Sequence, residues 1–278
     1  MNKINLVFPV LLLIGQQCFC ANQSQVKSEE SYLLSQNKLE TQSVSLFQPQ
    51  KVYPAGANPY TIAKGDFNGD GNTDLAITNF SSNTLTILKG KGDGTFQNKI
   101  TYATGTNPSG VGVGDFNGDS VLDLAVVNKG SNNIVVLLNN GVGVFKPHAT
   151  YATGLKPESI KIADLSGDGL LDIAVTNKGS NSVSILKGNG DGTFRNQSVY
   201  LTGSKPHGII AGDFNKDGVL DLAITNSGSN SISILLNMKK GLFHTQSTYP
   251  TGSKPTAIVT GDFNKDGIPD LAVLNTGS

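Results

Sequence analysis

The chain of 278 residues carries 21 Lys and Arg against 21 Asp and Glu, and only 15% of its residues are charged. A net charge of zero argues against a protein that binds nucleic acid through a basic surface. Two cysteines exclude a disulfide-stabilised scaffold, and the absence of a Gly-x-y period excludes collagen. The 33 glycines, together with many Asn, Ser, Thr and Val, favour strands joined by frequent turns.

The first twenty residues are predicted to be a secretory signal peptide. An apolar run at residues 6–14 follows Lys3 and is too short to span a bilayer. We expect cleavage after Cys20, a secreted protein in an extracellular or periplasmic location, and no transmembrane segment. Both cysteines leave with residues 1–20. Residues 21–43 are polar and aperiodic and are predicted to be a linker, and residues 44–278 are predicted to be the folded domain.

The domain is built from a repeat of 49 residues. A Gly-Asp-Phe-Asn sequence or its equivalent recurs five times without insertion or deletion, with its acid at Asp66, Asp115, Asp164, Asp213 and Asp262. Each unit is predicted to form four short strands, which in the first unit cover about residues 61–65, 75–78, 85–88 and 96–103. Four strands in about 40–50 residues are typical of a β-propeller blade, which buries its faces against neighbouring blades.

About five blades are predicted. Residues 47–53 match the last strand of a blade whose first three strands are missing, and residue 278 falls inside a hairpin turn of the fifth unit. An N-terminal strand that completed the last blade would close a five-bladed ring. The alternative is that these blades are a fragment of a larger ring, perhaps one with seven blades.

Each unit carries an Asp-rich loop with the chemistry of a calcium site. In the first loop Asp66, Asn68, Asp70 and Asp74 offer side-chain oxygens, and Asn72 offers a backbone carbonyl. Calcium takes about six to eight oxygen ligands, and three carboxylates would repel one another without a cation. The ligands predicted in the other loops are Asp115, Asn117, Asp119, Val121 and Asp123; Asp164, Ser166, Asp168, Leu170 and Asp172; Asp213, Asn215, Asp217, Val219 and Asp221; and Asp262, Asn264, Asp266, Ile268 and Asp270.

Four to five Ca²⁺ ions are therefore expected per chain. The glycine at the sixth position, Gly71 in the first loop, supplies the sharp turn. The second loop has Ser120 at this position and is expected to bind most weakly.

The units resemble the FG-GAP/VCBS repeats of integrin α-chain β-propellers and of many secreted bacterial proteins. The resemblance covers about residues 44–278 and rests on the Asp-x-Asn-x-Asp-Gly-x-x-Asp loop followed by Leu-Ala. It implies an all-β propeller of four-stranded blades, with calcium bound between the first and second strands of each blade, and a role in cell adhesion or recognition. Every unit here has a calcium loop, so the bacterial proteins are the closer comparison.

Few residues remain for catalysis. The five loops contain fifteen of the 21 acids, and Glu158 is the one acid outside the loops, a Gly-Asp-Gly turn and the linker. No spare pair of carboxylates suits a glycosidase, and no nucleophile accompanies the three histidines. We predict no catalytic residues and no enzyme. The alternative is a polysaccharide lyase that uses Lys216 or Lys265, inside calcium loops, as its base.

Ligand binding is predicted on the face opposite the calcium loops. The turns between second and third strands share that face with the connections between blades, and it carries the columns that vary from unit to unit. The candidates are Tyr60, Phe80, Lys129, Glu158, Lys178 and His207. Tyr60 and Phe80 belong to one blade and suit a sugar-stacking patch or a protein hot spot. We therefore predict a monomeric recognition scaffold for a protein or glycan, with a lectin as a close variant.

Overall fold

The computed structural model describes residues 3–6, 50–245 and 247–277. The chain divides into two compact units, residues 1–4 with 53–278 and residues 5–52. The predicted leader and linker, and the start of the predicted domain, lie outside the described residues apart from a strand, β1, at Lys3–Leu6. The described part of the chain contains no helix long and apolar enough to cross a lipid bilayer.

The first unit is all-β and forms successive blades, as predicted. After β2 (Lys51–Pro54), blade 1 consists of β3 (Pro59–Gly65), β4 (Asp74–Asn79), β5 (Thr84–Leu88) and β6 (Ile100–Ala103). Blade 2 consists of β7 (Pro108–Gly114), β8 (Asp123–Asn128), β9 (Asn133–Asn139) and β10 (Phe145–Ala152), and blade 3 of β11 (Pro157–Ala163), β12 (Asp172–Asn177), β13 (Ser182–Leu186) and β14 (Ser198–Leu201). Blade 4 consists of β15 (Pro206–Gly212), β16 (Asp221–Asn226), β17 (Ser231–Leu235) and β18 (Ser247–Pro250), and blade 5 of β19 (Pro255–Gly261) and β20 (Asp270–Asn275).

Each blade is an antiparallel sheet whose strands lie in chain order. The first strands of neighbouring blades contact one another in series, from β3 through β7, β11 and β15 to β19. No comparable contact joins β3 to β19 among the described residues. Within that range the blades therefore form an open series of four complete blades and one two-stranded blade.

The hydrophobic core lies between blades. Strands β12 and β13 are buried along their whole length, because both faces of their sheet are covered by neighbours. Ala125 and Val127 of blade 2, for example, share a cluster with Ile173 and Val175 of blade 3. A blade therefore depends on its neighbours for burial, which is the general behaviour of propeller repeats.

The repeated Phe and Tyr columns form the contact between blades. Phe194 of blade 3 meets Phe116 of blade 2 edge to face, with ring centroids 5.4 Å apart. It meets the ring of Tyr151 in the same way at 5.7 Å, and its backbone N–H donates a 2.9 Å hydrogen bond to the Tyr151 hydroxyl. Equivalent pairs occur at the flanking interfaces, where Phe145 meets Phe67 and Tyr102, and Phe243 meets Tyr200.

The predicted start of the fourth strand was wrong in blade 1. The strand begins at Ile100, and Phe96 forms only an isolated bridge with Gly90. Three residues follow Phe96 before Ile100, whereas two separate Gly90 from Ile87, the partner of Ile100. The extra residue interrupts the ladder as a β-bulge does.

The fifth blade leaves apolar side chains in solvent. Val259, Phe263 and Leu274 are each exposed by more than half, at 58%, 61% and 59%. Beside them a groove of about 480 Å³ opens between blades 4 and 5, lined in part by Phe214 and Tyr249. In the earlier blades the equivalents of Phe214 and Tyr249 pack against the phenylalanine of the next blade.

Candidate functional site

Two kinds of loop meet on one face of the blades, which we call the connector face. The first kind is the connection that leads into each blade, residues 55–58 for blade 1. The second is the turn between the second and third strands of a blade, residues 80–83 in blade 1. Both have equivalents in the later blades. A backbone hydrogen bond ties the two together: the N–H of Phe80 donates to the carbonyl of Asn58 at 2.8 Å, and that of Lys129 to Asn107 at 3.0 Å. The variable columns predicted from the sequence are therefore neighbours in space.

A β-bulge at the start of the first strand positions the side chains of one variable column, which contains Tyr60, Glu158 and His207. In blade 3 Pro157 pairs with Asn177 and Ile160 with Val175, so that Glu158 and its successor face a single residue of β12. The same shift occurs at Tyr60 in blade 1 and His207 in blade 4. Bulges commonly redirect a side chain next to a functional site.

Glu158 is the centre of a cluster drawn from four blades. Its carboxylate is buried, with 2% of the side chain exposed, and accepts a 2.7 Å hydrogen bond from the Tyr60 hydroxyl. The ammonium of Lys129 lies 2.6 Å from Oε2 of Glu158, and Nε2 of His207 lies 3.5 Å from Oε1. The hydrogen bond from Tyr60 to Glu158 alone joins residues that are 98 positions apart in sequence.

The aromatic candidates complete this cluster. The rings of Tyr60 and Phe80 are tilted by 32° with centroids 5.4 Å apart, and the Lys129 ammonium lies 6.0 Å from the Phe80 centroid. Tyr60 is 44% exposed, and 29% of the His207 side chain is accessible. Five of the six predicted ligand-face residues are thus brought together around an accessible surface.

The charge of Glu158 is stabilised within the cluster. Burial alone would raise its pKa, but hydrogen bonds from Lys129 and Tyr60, and the positive charges of Lys129 and Lys178, outweigh burial and lower the pKa. Lys178, the sixth candidate, forms no ion pair with Glu158 in the described part of the chain and acts through its charge. Glu158 is therefore ionised at neutral pH.

Tyr60 and His207, two of the side chains beside Glu158, are held in their neutral forms. Burial raises the pKa of Tyr60, and its hydrogen bond to Glu158 and the charge of that carboxylate raise it further. Burial also lowers the pKa of His207; the charge of Glu158 opposes this shift, and the charges of Lys178 and Lys129 add to it. The neutral imidazole and phenol leave Lys129 and Lys178 as the cations of the cluster.

The Asp loops lie on the opposite face, between first and second strands. In the first loop Asp66 accepts 2.8 Å hydrogen bonds from the backbone N–H groups of Gly69 and Gly71, and Asp70 accepts one from Asn72 at 2.8 Å. Gly71 has φ +80°, as the sharp turn requires. Ser120 takes a φ of +67° at the same position of the second loop, and its N–H donates to Asp115 at 2.8 Å. The second loop thus keeps the geometry at the cost of a strained serine.

The last acid of the Asp loop in each of the four complete blades has a structural role that the sequence did not indicate. Asp74 is fully buried and accepts hydrogen bonds from Phe67 N at 2.9 Å and Gly90 N at 2.7 Å. It therefore ties the loop to the end of the third strand. Burial raises the pKa of Asp74, and the charges of Asp70 and Asp66 raise it further. The two hydrogen bonds lower the pKa but do not outweigh these effects.

The donor set of these loops suits calcium by its chemistry. Every candidate ligand is an oxygen, and the repulsion felt by Asp74 would be relieved by a cation. The residues that would hold the ion in the first loop are Asp66, Asn68, Asp70 and Asp74 with the carbonyl of Asn72. Among the described residues, however, no three His, Cys, Asp or Glu side chains are arranged as a metal-ligand group. Calcium binding therefore stays a prediction.

Comparison with protein families agrees with the repeat. The model of the FG-GAP-like repeat matches residues 66–126, 115–175, 164–224 and 213–273, which together extend over more than half of the chain. The chain belongs to the FG-GAP-like repeat family. This confirms the resemblance seen in the Asp loops. Comparison with the curated proteins gives no match.

Solved structures of low sequence identity share the fold. A functionally unknown protein from Desulfotomaculum acetoxidans matches with a TM-score of 0.61 at 16% identity, over 82% of this chain and 66% of its own. A lectin from Agrocybe aegerita that recognises non-reducing terminal N-acetylglucosamine matches with a TM-score of 0.52 at 21% identity, over 74% and 58%. Virginiamycin B lyase from Staphylococcus aureus matches with a TM-score of 0.56 at 18% identity, over 82% and 67%. The FG-GAP repeat chain thus spans about three fifths to two thirds of these proteins.

Proposed function

We propose that this FG-GAP repeat protein is a secreted, calcium-binding recognition scaffold that binds a protein or glycan ligand with its connector face. The observation that carries the proposal is the convergence of Tyr60, Phe80, Lys129, Glu158 and His207 from four blades on one accessible cluster.

The cluster suits binding better than it suits stability. A buried ion pair is weak evidence for stability, because desolvation of both charges offsets much of their attraction. A fold that needed only packing here could use apolar residues, as the hydrophobic clusters between the blades do. The partly exposed Tyr60 and Phe80 beside a lysine instead match the aromatic and cationic anchors of recognition sites.

We propose that calcium has a structural role in this protein. It would be held by the five Asp loops, on the face away from the cluster, and would offset the repulsion of three carboxylates in each loop. Binding would then stabilise the blades without taking part in ligand contact. Because the mature chain is proposed to lack cysteine, calcium would replace the disulfides of other small exported domains.

We propose binding without turnover. His207 is neutral and accessible, but the carboxylate beside it, Glu158, is already bound to Lys129 and Tyr60. The lyase alternative requires Lys216 or Lys265 as a base in an Asp loop. Release of unsaturated uronides from acidic polysaccharides would establish the lyase, and its absence together with binding would support the scaffold.

The test is a glycan and protein array probed with the wild-type chain in calcium. Signals that depend on the cluster should fall at least tenfold, about 1.4 kcal/mol, in Phe80→Ala and Glu158→Gln. Val142→Ala is the matched control, because Val142 is exposed on the turn between third and fourth strands, away from the connector face. A ligand bound equally by all four proteins would contradict the proposed site.

Export and oligomeric state are parts of the same proposal. We propose that residues 1–20 are removed and that the mature protein is a monomer. Mass spectrometry of the exported protein would identify its first residue, and light scattering would give its mass. A chain that kept its leader in the membrane fraction would contradict export.

A further inference from the structure

The connector face is basic. Lys156, Lys205 and Lys254 occupy the position before the proline that begins a first strand, and Lys129 and Lys178 occupy the turn between second and third strands. The one acid among these columns is Glu158. The Asp loops, with their fifteen acids, lie on the other face.

Four of these lysines have no acidic partner. Glu158 is already paired with Lys129 at 2.6 Å. In the described part of the chain no ion pair joins Lys156, Lys178, Lys205 or Lys254 to a carboxylate. Lys156, Lys205 and Lys254 are exposed. The face therefore carries a surplus of positive charge that the fold does not use.

The backbone holds these lysines side by side. The carbonyl of Lys156 accepts the N–H of Lys178 at 3.0 Å, which fixes two lysines as neighbours on blade 3. The N–H of Lys205 donates to Oδ1 of Asn181 at 2.8 Å, which ties blade 4 to blade 3. Neighbouring like charges are unfavourable in the free protein, and an anion placed between them would relieve the repulsion.

The position before the proline does not need lysine. Its backbone is left-handed in every blade, with φ of +55° at Asn58, +53° at Asn107 and +52° at Lys205. Asparagine is among the residues that best tolerate this conformation. The first two blades use asparagine here, so the three lysines of the later blades add charge and satisfy no backbone requirement.

We propose that the connector face binds an acidic polysaccharide, with sugar carboxylates or sulfates on the lysines of blades 3 to 5 and a sugar ring against Tyr60 and Phe80. This deepens and rests on the proposed recognition function. A sugar chain with regularly spaced charges can reach the lysines of successive blades. Within the part of the chain that the structure describes, this face carries one aromatic pair, Tyr60 and Phe80, whereas binding of single-stranded nucleic acid uses a succession of stacking side chains.

The test measures binding of the full chain in calcium to heparin, which is sulfated, to polygalacturonate, which is carboxylated, and to neutral dextran, at several salt concentrations. The variant combines Lys156→Asn, Lys205→Asn and Lys254→Asn, because asparagine keeps the left-handed backbone. The matched control combines Lys64→Gln, Lys91→Gln and Lys146→Gln, which removes the same charge from exposed positions elsewhere.

We expect binding to one or both acidic polymers that weakens with salt, and none to dextran. The asparagine variant should lose roughly tenfold in affinity at low salt and show a shallower salt dependence, because fewer counterions are released. The control should lose less than about twofold. Equal losses in variant and control would mean that net charge alone drives binding, and unchanged affinity in the variant would remove these lysines from the site.

Two further outcomes separate this inference from the proposed function. If a neutral glycan or a protein binds and is lost in Phe80→Ala but kept in the asparagine variant, the recognition site stands and its acidic ligand class is wrong. If vesicles with anionic lipid, or single-stranded DNA, bind through the same lysines more tightly than either polysaccharide, the polysaccharide is overturned as the ligand. If nothing binds, both proposals fail.

Discussion

The hydroxyl of Tyr60 in blade 1 donates a 2.7 Å hydrogen bond to Oε1 of Glu158 in blade 3. The bond joins blades 1 and 3, whose first strands, β3 and β11, both contact β7 of blade 2. The side chains of the cluster are therefore positioned by the curvature of the blade series, and a change in that curvature would separate them.

Tyr60→Phe should destabilise the protein by about 1 kcal/mol, because Oε1 of the buried Glu158 carboxylate loses its 2.7 Å hydrogen bond. The same change should raise the pKa of Glu158, since the Tyr60 hydrogen bond helps to lower it. Urea unfolding gives the first quantity and an NMR titration of the Glu158 carboxyl the second. A pKa that does not move would show that the hydrogen bond is not maintained in solution.

His207 should make the protein less stable in mild acid. Because its folded-state pKa lies below the ordinary value of 6.5, the folded state disfavours the proton that the unfolded state accepts. The contribution of His207 is complete above pH 6.5 and is lost as the pH falls from there toward the folded-state pKa. The pKa of Glu158 is lowered from its ordinary 4.5, so Glu158 changes the stability only below that pH and not in the range where His207 titrates.

Wild type and His207→Gln should therefore differ in how their free energies of unfolding change between about pH 7 and 5, with the wild type losing more. His148 and His244 are present in both proteins, so their effects cancel. An identical pH dependence would mean that His207 is as solvated in the folded protein as in the unfolded chain.

The blade architecture and the connector face were predictable, because a 49-residue period without insertions places equivalent residues at equivalent points of every blade. The alternation of apolar residues in segments such as Leu85–Leu88 located the strands. What the period cannot reveal is contact between different columns. That Tyr60 reaches Glu158, and that Lys129 pairs with it, depends on how far each blade turns from the last.

Two local features were also beyond the sequence. The bulge after Pro157, and after its equivalents, places two residues opposite a single residue of the second strand. No residue type in the sequence pattern predicts it. The buried position of Asp74 was hidden by its place in a loop of polar residues. Its role emerges only when the third strand ends beside the loop and Gly90 offers its N–H.

Ser120→Gly should stabilise the protein by about 1 kcal/mol, because glycine adopts the φ of +67° without the steric cost that serine meets. If the second loop binds calcium as proposed, the change should also tighten that site. The measurements are thermal unfolding in chelator, for the backbone effect, and calorimetric calcium titration, for the site. A lower stability in chelator would show that the serine hydroxyl has a compensating contact.

Calcium should raise the melting temperature if the loops bind it. At a free concentration a hundred times the dissociation constant, one site adds about 2.7 kcal/mol. Asp66→Asn should remove one ion per chain by metal analysis, and Asp93→Asn, in an exposed turn outside the loops, is the control. An unchanged melting temperature with and without calcium would contradict the structural ion.

Tyr151→Phe should cost about 1–2 kcal/mol, since the hydroxyl accepts the N–H of Phe194 at a buried blade interface and the N–H would be left unpaired. Tyr249→Phe is the matched control. Tyr249 occupies the same column but is 53% exposed and packs against no following blade among the described residues. Its substitution should change stability by less than about 0.5 kcal/mol. Similar costs at the two positions would show that the hydroxyl matters within its own strand and not for the contact between blades.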